Sequence, residues 1–403
     1  MKTYKQTLRK ITKDQYKILK EYCLYSAKLY NEALNICNHH FEQTNKYIGY
    51  NKLYHEIKNS ENYQNLPAQS AQQVLRLVDQ NFRSFFALLR KKKLGQYNDK
   101  INVPQLKNEE DLFLLQFSFQ QAKLKNNILK LTKKLKFKFT HKIDGIIKQV
   151  IIKPYNRGQY FKLFIQYREN KKQIDHNLNK NNYLSVDLGI NNFASCFSYP
   201  SGHSFILNGR PLKSLNRYFN KTKALVQEEL ESKNNQKWSN QLQNLTEKRN
   251  NVVDNFMNQA SSFIIKYCIQ NKIATIVMGY NKQWKQNSNL GRRNNQKFQS
   301  IPFYSFKRKL EYKCLDNNIN LQFTEESYTS KCSFIDNEKM KKKDQYLGKR
   351  IKRGLYRSSN NLLLNADINS AANILRKARS DVIFDQDLLG LMFNPEMKDC
   401  LSN

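Results

Sequence analysis

Residues 183–190 place an acid, Asp187, inside an otherwise apolar run. The length and composition of this run predict a buried strand, and turns at 191–192 and 200–202 separate it from two further short strands. A buried carboxylate needs hydrogen-bond donors or a cation to offset its loss of water. A divalent metal ion is one such cation. Asp187 therefore restricts the chain to folds that bring a partner to this strand.

The order of elements after this strand predicts an α/β domain. Periodicity and end signals indicate two helices within 212–270 that break near Asn234-Asn235, a buried parallel strand at 274–280, a helix after Pro302, a strand at 319–326 and a last helix beginning at Asn365. Three antiparallel strands followed by helix, strand, helix, strand and helix are typical of RNase H-like folds. We therefore predict this fold for residues 183–326 and 363–378.

Further acids lie at the ends of two later elements. Glu325 and Glu326 end the strand at 319–326, and Asp367 lies in the first turn of the last helix. An RNase H-like fold would bring these acids to Asp187, as phosphodiester hydrolysis by two hard cations about 4 Å apart requires. Oxygen ligands without a convergent Cys/His set favour Mg²⁺ or Mn²⁺. The plainer alternatives are a turn-stabilising aspartate, two exposed glutamates and an aspartate that complements a helix N-terminus.

The charge of the chain predicts a polyanionic partner. Its 403 residues carry a formal net charge of +36, with a pI near 9.8, which favours nucleic acid. A membrane surface is the alternative, but the sequence has no amphipathic anchor, lipidation signal or long apolar run. The first residues lack the apolar run of a secretory signal, and the seven cysteines form no CxxC pair. We therefore expect a reducing, cytoplasmic location near the bacterial nucleoid, without disulfides.

The first 170 residues predict a different architecture. Period-two runs indicate a small antiparallel barrel or sheet, at residues 3–8, 133–139, 146–153 and 160–168. Helical periodicity dominates between the first two runs and is strongest after Leu66-Pro67. The polar side of that helix carries Gln72, Gln73 and Arg76, and it is either a solvated face or a nucleic-acid contact.

The order of motifs resembles the TnpB (OrfB) family, the transposon-encoded ancestors of type V CRISPR nucleases. LSVDLGINN (184–192) resembles the first RuvC motif of that family, and YTSKC (328–332) resembles its TS-x-C block. RGLY (353–356) and NADINSAANI (365–374) look like its last two blocks. Residues 66–86 are similar to its recognition-lobe helix, so the resemblance spans nearly the whole chain.

The resemblance implies an RNA-guided, Mg²⁺-dependent DNA endonuclease whose partners are a non-coding guide RNA and target double-stranded DNA. It implies a wedge β-barrel at 1–10 and 96–170, an inserted α-helical recognition lobe at 11–95, a linker at 171–182, a RuvC domain at 183–326 and 363–378, a nucleic-acid-loading insertion at 327–362 and a tail at 379–403. Base pairing with the guide would select the target, and protein contacts would be mostly with the backbone and a short adjacent motif. Arg353, in the RGLY block, becomes a further candidate contact.

One departure from the family pattern concerns the third acid. Gly279 stands where the family has a glutamate at the end of its fourth strand, and a subset of relatives places that acid just before the TS block. Glu326 fits the relocated position and lies on the polar face of its strand; Glu325 is the second choice. We therefore predict that Asp187, Glu326 and Asp367 are the catalytic and metal-binding acids.

A second departure concerns the cysteines of the insertion. Cys332 remains, but no further cysteine or nearby histidine completes a set of four ligands. We therefore predict a degenerate zinc-ribbon-like insertion without structural zinc. The lost ligands and Gly279 favour the alternative of a catalytically weakened, RNA-guided DNA-binding regulator. A transposase that joins DNA strands directly is less favoured, because no helix-turn-helix-like reader or strand-joining tyrosine motif is visible.

Overall fold

The computed structural model describes the chain except for residues 109–110, 140–142, 171–175, 235, 237, 281–291, 382–393 and 401–403. The chain divides into two units, residues 1–172 and 173–403. The predicted linker at 171–182 and the predicted tail at 379–403 lie partly outside the described residues. Among the helices that the structure describes, none is both long and apolar enough to cross a membrane.

The N-terminal unit contains two antiparallel sheets. Its strands are β1 (Lys2–Leu8), β2 (Leu115–Ser118), β3 (Lys123–Lys125), β4 (Ile128–Lys130), β5 (Lys136–Lys138), β6 (Gly145–Tyr155) and β7 (Tyr160–Glu169). The larger sheet has the order β1-β7-β6-β2, and the smaller has the order β3-β4-β5. The period-two runs thus form strands where the sequence predicts them. Two open sheets of described strands do not confirm a closed barrel.

The helices of the N-terminal unit follow β1 and precede β2 in the chain. They are α1 (Lys13–Thr44), α2 (Gly49–Ile57), α3 (Glu61–Gln64) and α4 (Ala68–Lys93). A capping box begins α1, since the Thr12 hydroxyl accepts from the backbone N–H of Gln15 and the Gln15 side chain accepts from that of Thr12. Leu29 of α1 and Val78 of α4 belong to the same buried core as Phe161 of β7. Because helices and strands share this core, a separate helical lobe is not confirmed.

The C-terminal unit is built on a mixed sheet with helices between its strands. Its strands are β8 (Asn179–Leu188), β9 (Asn192–Tyr199), β10 (Ser204–Asn208), β11 (Ile273–Gly279), β12 (Asn320–Thr324), β13 (Lys349–Lys352), β14 (Leu355–Arg357), β15 (Leu363–Asn365) and β16 (Glu396–Lys398). Its helices are α5 (Arg210–Asn234), α6 (Asn240–Gln270), α7 (Arg292–Gln299), α8 (Phe303–Asp316) and α9 (Ala366–Ala378). The predicted element order and the α/β class are therefore confirmed.

The six-stranded sheet has the order β12-β11-β8-β9-β10-β16. β8, β9 and β10 are antiparallel neighbours, whereas β11 runs parallel to both β8 and β12. Val186 packs with residues of α6 and α8 on one face of the sheet. Val277 packs with Ile374 of α9 on the other face. β13, β14 and β15 form a separate small sheet at the end of the insertion.

Candidate active site

The strand register places Asp187 and Gly279 on the same face of the sheet. Met278 lies beside Val186 in the parallel pair of β11 and β8, and Gly279 lies beside Thr324 in the pair of β11 and β12. Because side chains alternate along a strand, Asp187, Gly279 and Thr324 face the side on which α9 packs. This is also the side on which alternation places Glu326, two residues after Thr324.

Glu326 fills the space that a side chain at position 279 would take. A Cβ atom on Gly279 would lie 2.5 Å from Oε1 and 2.7 Å from Cγ of Glu326, and 2.7 Å from Cδ1 of Ile374. β11 lies between β8 and β12, so the missing side chain lets Glu326 extend from the outer strand toward Asp187. The glycine at 279 and the acid at 326 are therefore complementary parts of one arrangement.

Asp367 is fixed at the start of α9 by hydrogen bonds. The Asn365 side chain caps the helix, accepting from the backbone N–H of Asp367 at 3.0 Å and of Ile368 at 3.2 Å. The Asp367 carboxylate accepts from Nδ2 of Asn192 at 2.6 Å and from Nη2 of Arg350 at 2.8 Å. The predicted N-cap at Asn365 is thus confirmed, and Asp367 has two further partners.

One cavity brings the two aspartates together with arginines. It has a volume of about 420 Å³, and its lining includes Asp187, Asp367, Arg210, Arg350 and Arg353. We call it the acid cavity. Arg353, a candidate contact from the family resemblance, therefore lies beside the two predicted aspartates. Side chains of both signs at one opening provide donors for an anion and ligands for a cation.

Burial and neighbouring acids raise the pKa of Asp187 and of Glu326. Burial raises the pKa of Asp187 well above its ordinary value of 3.8, the charges of Glu326 and Asp367 raise it further, and Arg350 acts in the opposite direction. Burial, and then the charge of Glu325, raise the pKa of Glu326 to about 7. A nearby cation would favour the charged forms of such carboxylates, and groups with raised pKa values cluster at functional sites.

Glu325 has a different set of partners. Its carboxylate pairs with Lys377 at 2.5 Å and accepts from the backbone N–H and the hydroxyl of Ser327 at 2.8 and 2.5 Å. The bonds from Lys377 and then Ser327 lower the pKa of Glu325. Of the two neighbouring glutamates, Glu326 is the one that the structure brings toward Asp187.

The predicted ligand set consists of oxygen donors, which suit a hard divalent cation. Across the described part of the chain, however, no three His, Cys, Asp or Glu residues form a group ready to hold a metal ion. The Arg350 guanidinium supplies the positive charge at Asp367. The donor chemistry therefore suits Mg²⁺ or Mn²⁺, but the described carboxylates do not form a ready ligand set, and Asp367 is paired with Arg350.

The insertion between β12 and α9 is organised around Glu338. This buried carboxylate accepts from the backbone N–H of Ser333 at 2.8 Å and of Leu347 at 3.0 Å, and it pairs with Lys343 at 2.8 Å. The buried thiol of Cys332 lies 3.6 Å from the carbonyl oxygen of Lys339, to which it donates. The Glu338 carboxylate thus links separate parts of the insertion in the region where the family resemblance implies zinc ligands.

The three candidates on α4 belong to the N-terminal unit. The Arg76 guanidinium is exposed and lies 4.7 Å from the centre of the Tyr50 ring. Arg76 and Arg83 both line a cavity of about 380 Å³. Gln72 and Gln73 are partly buried. Their contact with nucleic acid stays a prediction.

The residues of the acid cavity that the predictions missed include Asn192, Arg210 and Arg350. Asn192 lies in the LSVDLGINN segment, at the start of β9, and could have been found as a polar residue five positions after Asp187. Arg210 follows the predicted third strand as one basic residue among many. Arg350 lies in the lysine-rich insertion, where no local pattern distinguishes it.

Family models match two stretches of the chain. Residues 164–285 match OrfB_IS605, described as a probable transposase, and residues 303–374 match the TNB domain of Cas12f1-like proteins. The resemblance to the TnpB (OrfB) family is confirmed. The first stretch contains Asp187, and the second contains Glu326 and Asp367, so the predicted acids of this TnpB-like chain all lie within matched residues.

One solved structure supports the fold. A Cas12f1-sgRNA-target DNA complex aligns over 90% of this TnpB-like chain and 83% of its own, with 15% identity and a TM-score of 0.57. A CRISPR-Cas12f ternary complex aligns over 90% and 82%, with 16% identity and a TM-score of only 0.35, and carries no weight here. At this identity the first match supports the fold alone. No curated protein matches the chain.

Proposed function

We propose that this TnpB-like chain is an RNA-guided DNA endonuclease that hydrolyses phosphodiester bonds at the acid cavity. The observation that carries the proposal is the packing of Glu326 into the space beside Gly279, which directs a third acid toward Asp187. The Cas12f1 structure with the same fold holds sgRNA and target DNA, and this supports a guide RNA and DNA as partners. The net charge of +36 agrees with polyanionic partners.

We further propose that Asp187, Glu326 and Asp367 hold Mg²⁺ or Mn²⁺. When bound, such ions supply an activated water and stabilise the leaving oxygen. The chain itself supplies the positions of the three carboxylates, and Asn192 orients the one on Asp367 through its hydrogen bond. Guanidinium groups bind phosphate oxygens through paired N–H donors, so the arginines of the cavity are suited to orient the DNA backbone.

A second candidate is an RNA-guided DNA binder with weakened cleavage. It is favoured by the ion pair between Arg350 and Asp367 at 2.8 Å, together with the lack of a ready metal-binding group among the described residues. In this case target binding would persist while cleavage stayed low at every concentration of Mg²⁺ or Mn²⁺. The two candidates therefore differ in catalysis and not in partners.

The deciding experiment begins with the purified protein and sequencing of the RNA that accompanies it. A plasmid target matched to that RNA is then incubated with Mg²⁺ and either the natural protein or Asp187→Ala. We expect a discrete RNA, cleavage by the natural protein, and loss of cleavage by the variant with RNA affinity unchanged within a few-fold. Binding without cleavage favours the second candidate, recovery of no discrete RNA contradicts both, and joined product strands indicate a transposase.

A further inference from the structure

The small sheet of the N-terminal unit presents lysines on one face. Residues 123–138 include seven lysines and no acid. Opposed residues in antiparallel strands project to the same side. The register therefore forms one row across the three strands from Lys123, Lys130 and Lys136, and a second row from Lys125, Ile128 and Lys138. We call these five lysines the lysine face.

The other side of the same sheet is fixed in the hydrophobic core. Leu129 and Phe137 are buried there, and Leu124 packs against them. A one-residue shift in strand register would move every side chain to the opposite face of the sheet. Such a shift would expose these apolar side chains to water. All five members of the lysine face are exposed. The outward direction of the charges is therefore determined by the core.

The lysine face is unfavourable for the folded chain by itself. Adjacent strands are only about 4.8 Å apart, and like charges directly opposite one another destabilise a sheet. Among the residues that the structure describes, no acid pairs with any of the five lysines. A repulsive array without internal counter-charge is stabilised by an anion from outside the chain.

We propose that the lysine face binds the phosphodiester backbone of a nucleic acid. Alternate residues along a strand lie about 6.6–6.8 Å apart, and neighbouring strands lie about 4.8 Å apart, so the five ammonium groups can contact several successive phosphates. Lysine binds phosphate as a point charge, so these contacts hold the strand without selecting its sequence. The identity of this strand rests on the proposed function, whereas the binding itself does not.

An anionic membrane is the other extended polyanion, and the lysine face suits it less well. Surfaces that lie on a membrane combine basic residues with a large apolar contribution, commonly Trp, Phe or Leu. The two rows contain a single apolar side chain, Ile128, which is 47% exposed. The lysine face therefore has positive charge but little apolar surface to insert among lipids.

The test removes one row of charges from the full-length protein. Lys123→Gln, Lys130→Gln and Lys136→Gln are combined in one variant, and arginines at the same positions form the charge-retaining control. Affinity for the co-purified RNA and for a short DNA duplex is measured by fluorescence anisotropy across a series of salt concentrations. Each phosphate contact contributes about 0.7–0.9 to the slope of log affinity against log salt. We expect the glutamine variant to lose roughly 2–3 of that slope, and the arginine variant to retain it.

The two nucleic acids distinguish the source of the backbone. Loss in the RNA arm alone assigns the lysine face to RNA, and loss in the DNA arm alone assigns it to DNA. An unchanged slope in both arms overturns the inference, as does a loss confined to binding of vesicles of anionic phospholipid. If the glutamine variant binds and cuts normally, the inference fails while the proposed function stands. If the natural protein holds no RNA but the glutamine variant still has a smaller salt slope with DNA, the proposed function fails while the inference stands.

Thermal unfolding provides the folding control. Because the variant removes opposed like charges, its melting temperature should equal or exceed that of the natural protein. Should the triple variant unfold early, Lys125→Gln with Lys138→Gln removes the ends of the second row without touching the first. The inference would be overturned if this folded variant and its arginine control both had the salt slope of the natural protein.

Discussion

Glu326 and Glu338 are both largely enclosed by the C-terminal unit, yet their pKa values shift in opposite directions. Burial opposes the charge of each, but hydrogen bonds from Lys343, Ser333 and Leu347 lower the pKa of Glu338. The pKa of Glu326 rises to about 7, because burial is reinforced by the charge of Glu325. Hydrogen bonds from the chain thus favour the charged form of Glu338, whereas the charged form of Glu326 would be favoured by a nearby cation.

The largest expected effect is on cleavage by Glu326→Gln. Loss of a proposed metal ligand should lower Mg²⁺-dependent plasmid cleavage by more than roughly 100-fold, with RNA affinity unchanged within about twofold. Single-turnover cleavage rates measure the effect. Glu325→Gln is the matched control, because that carboxylate pairs with Lys377 instead, and it should keep its activity. The opposite pattern would assign the role to Glu325.

Glu338→Gln should lower the stability of the chain, whereas Glu326→Gln should mainly lower cleavage. The amide nitrogen would face at least one of the present donors, and Lys343 would lose the negative charge of its partner, which costs about 2–3 kcal/mol in the free energy of unfolding. Urea denaturation gives the change, and hydrogen exchange should show lost protection within the insertion. Glu311→Gln is the control, since Glu311 lies 3.9 Å from Lys307 at the surface and such pairs contribute little. Equal losses for both variants would contradict a central role for Glu338.

Gly279→Ala should disturb Glu326 without removing it. The new Cβ atom would lie 2.5 Å from Oε1 of Glu326, so the side chain must move, and we expect cleavage to fall by about tenfold, or about 1.4 kcal/mol in the activation barrier. The double variant Gly279→Glu with Glu326→Ala should recover part of the activity, because both positions face the same side of the sheet. Full activity in Gly279→Ala would show that the packing is not needed.

The pH dependence of stability should differ at the two glutamates in metal-free buffer. The folded chain keeps a proton on Glu326 up to about pH 7, whereas the unfolded chain loses it near 4.5, so stability falls as pH rises through this interval. The lowered pKa of Glu338 adds stability that is present above about 4.5 and is lost as pH falls through its folded value.

Urea denaturation over a pH series measures both contributions. Glu326→Gln should remove a decline of about 1–2 kcal/mol between pH 4.5 and 7, and Glu338→Gln should flatten the acid limb. Unaltered pH profiles in the two variants would mean that other groups dominate.

Treatment with a zinc chelator should have the smallest effect on stability. Hydrogen bonds to Glu338 hold the insertion, and Cys332 donates to the carbonyl of Lys339. A chelator that unfolds metal-dependent domains should therefore leave the melting temperature unchanged. Metal analysis of the purified protein provides the control, and a stoichiometric zinc content would contradict the prediction.

Much of the C-terminal unit could be predicted because local patterns determine it. The break between α5 and α6, the apolar β11 and the cap at Asn365 follow from periodicity and end signals. Alternation in 319–326 also separated Glu326 from Glu325. From the sequence, Gly279 indicates only that an acid is missing at this position. The structure shows that Glu326 occupies the space that a side chain at position 279 would take.

Other features depend on distant contacts that no local pattern encodes. Arg350 reaches Asp367 because the insertion folds back over the start of α9, and its lysine-rich surroundings conceal it in the sequence. Three hydrogen bonds single out Glu338 among the charges of the insertion. In the N-terminal unit, period-two runs predicted strands but not whether their sheet closes.

Glu326 follows β12, a strand of five residues at the end of the described sheet order, paired with β11 alone. Such a rim can fray while the centre of the sheet stays intact. Because fraying would displace Glu326, we expect the proposed cleavage to be lost at a lower temperature than the one at which the whole chain unfolds.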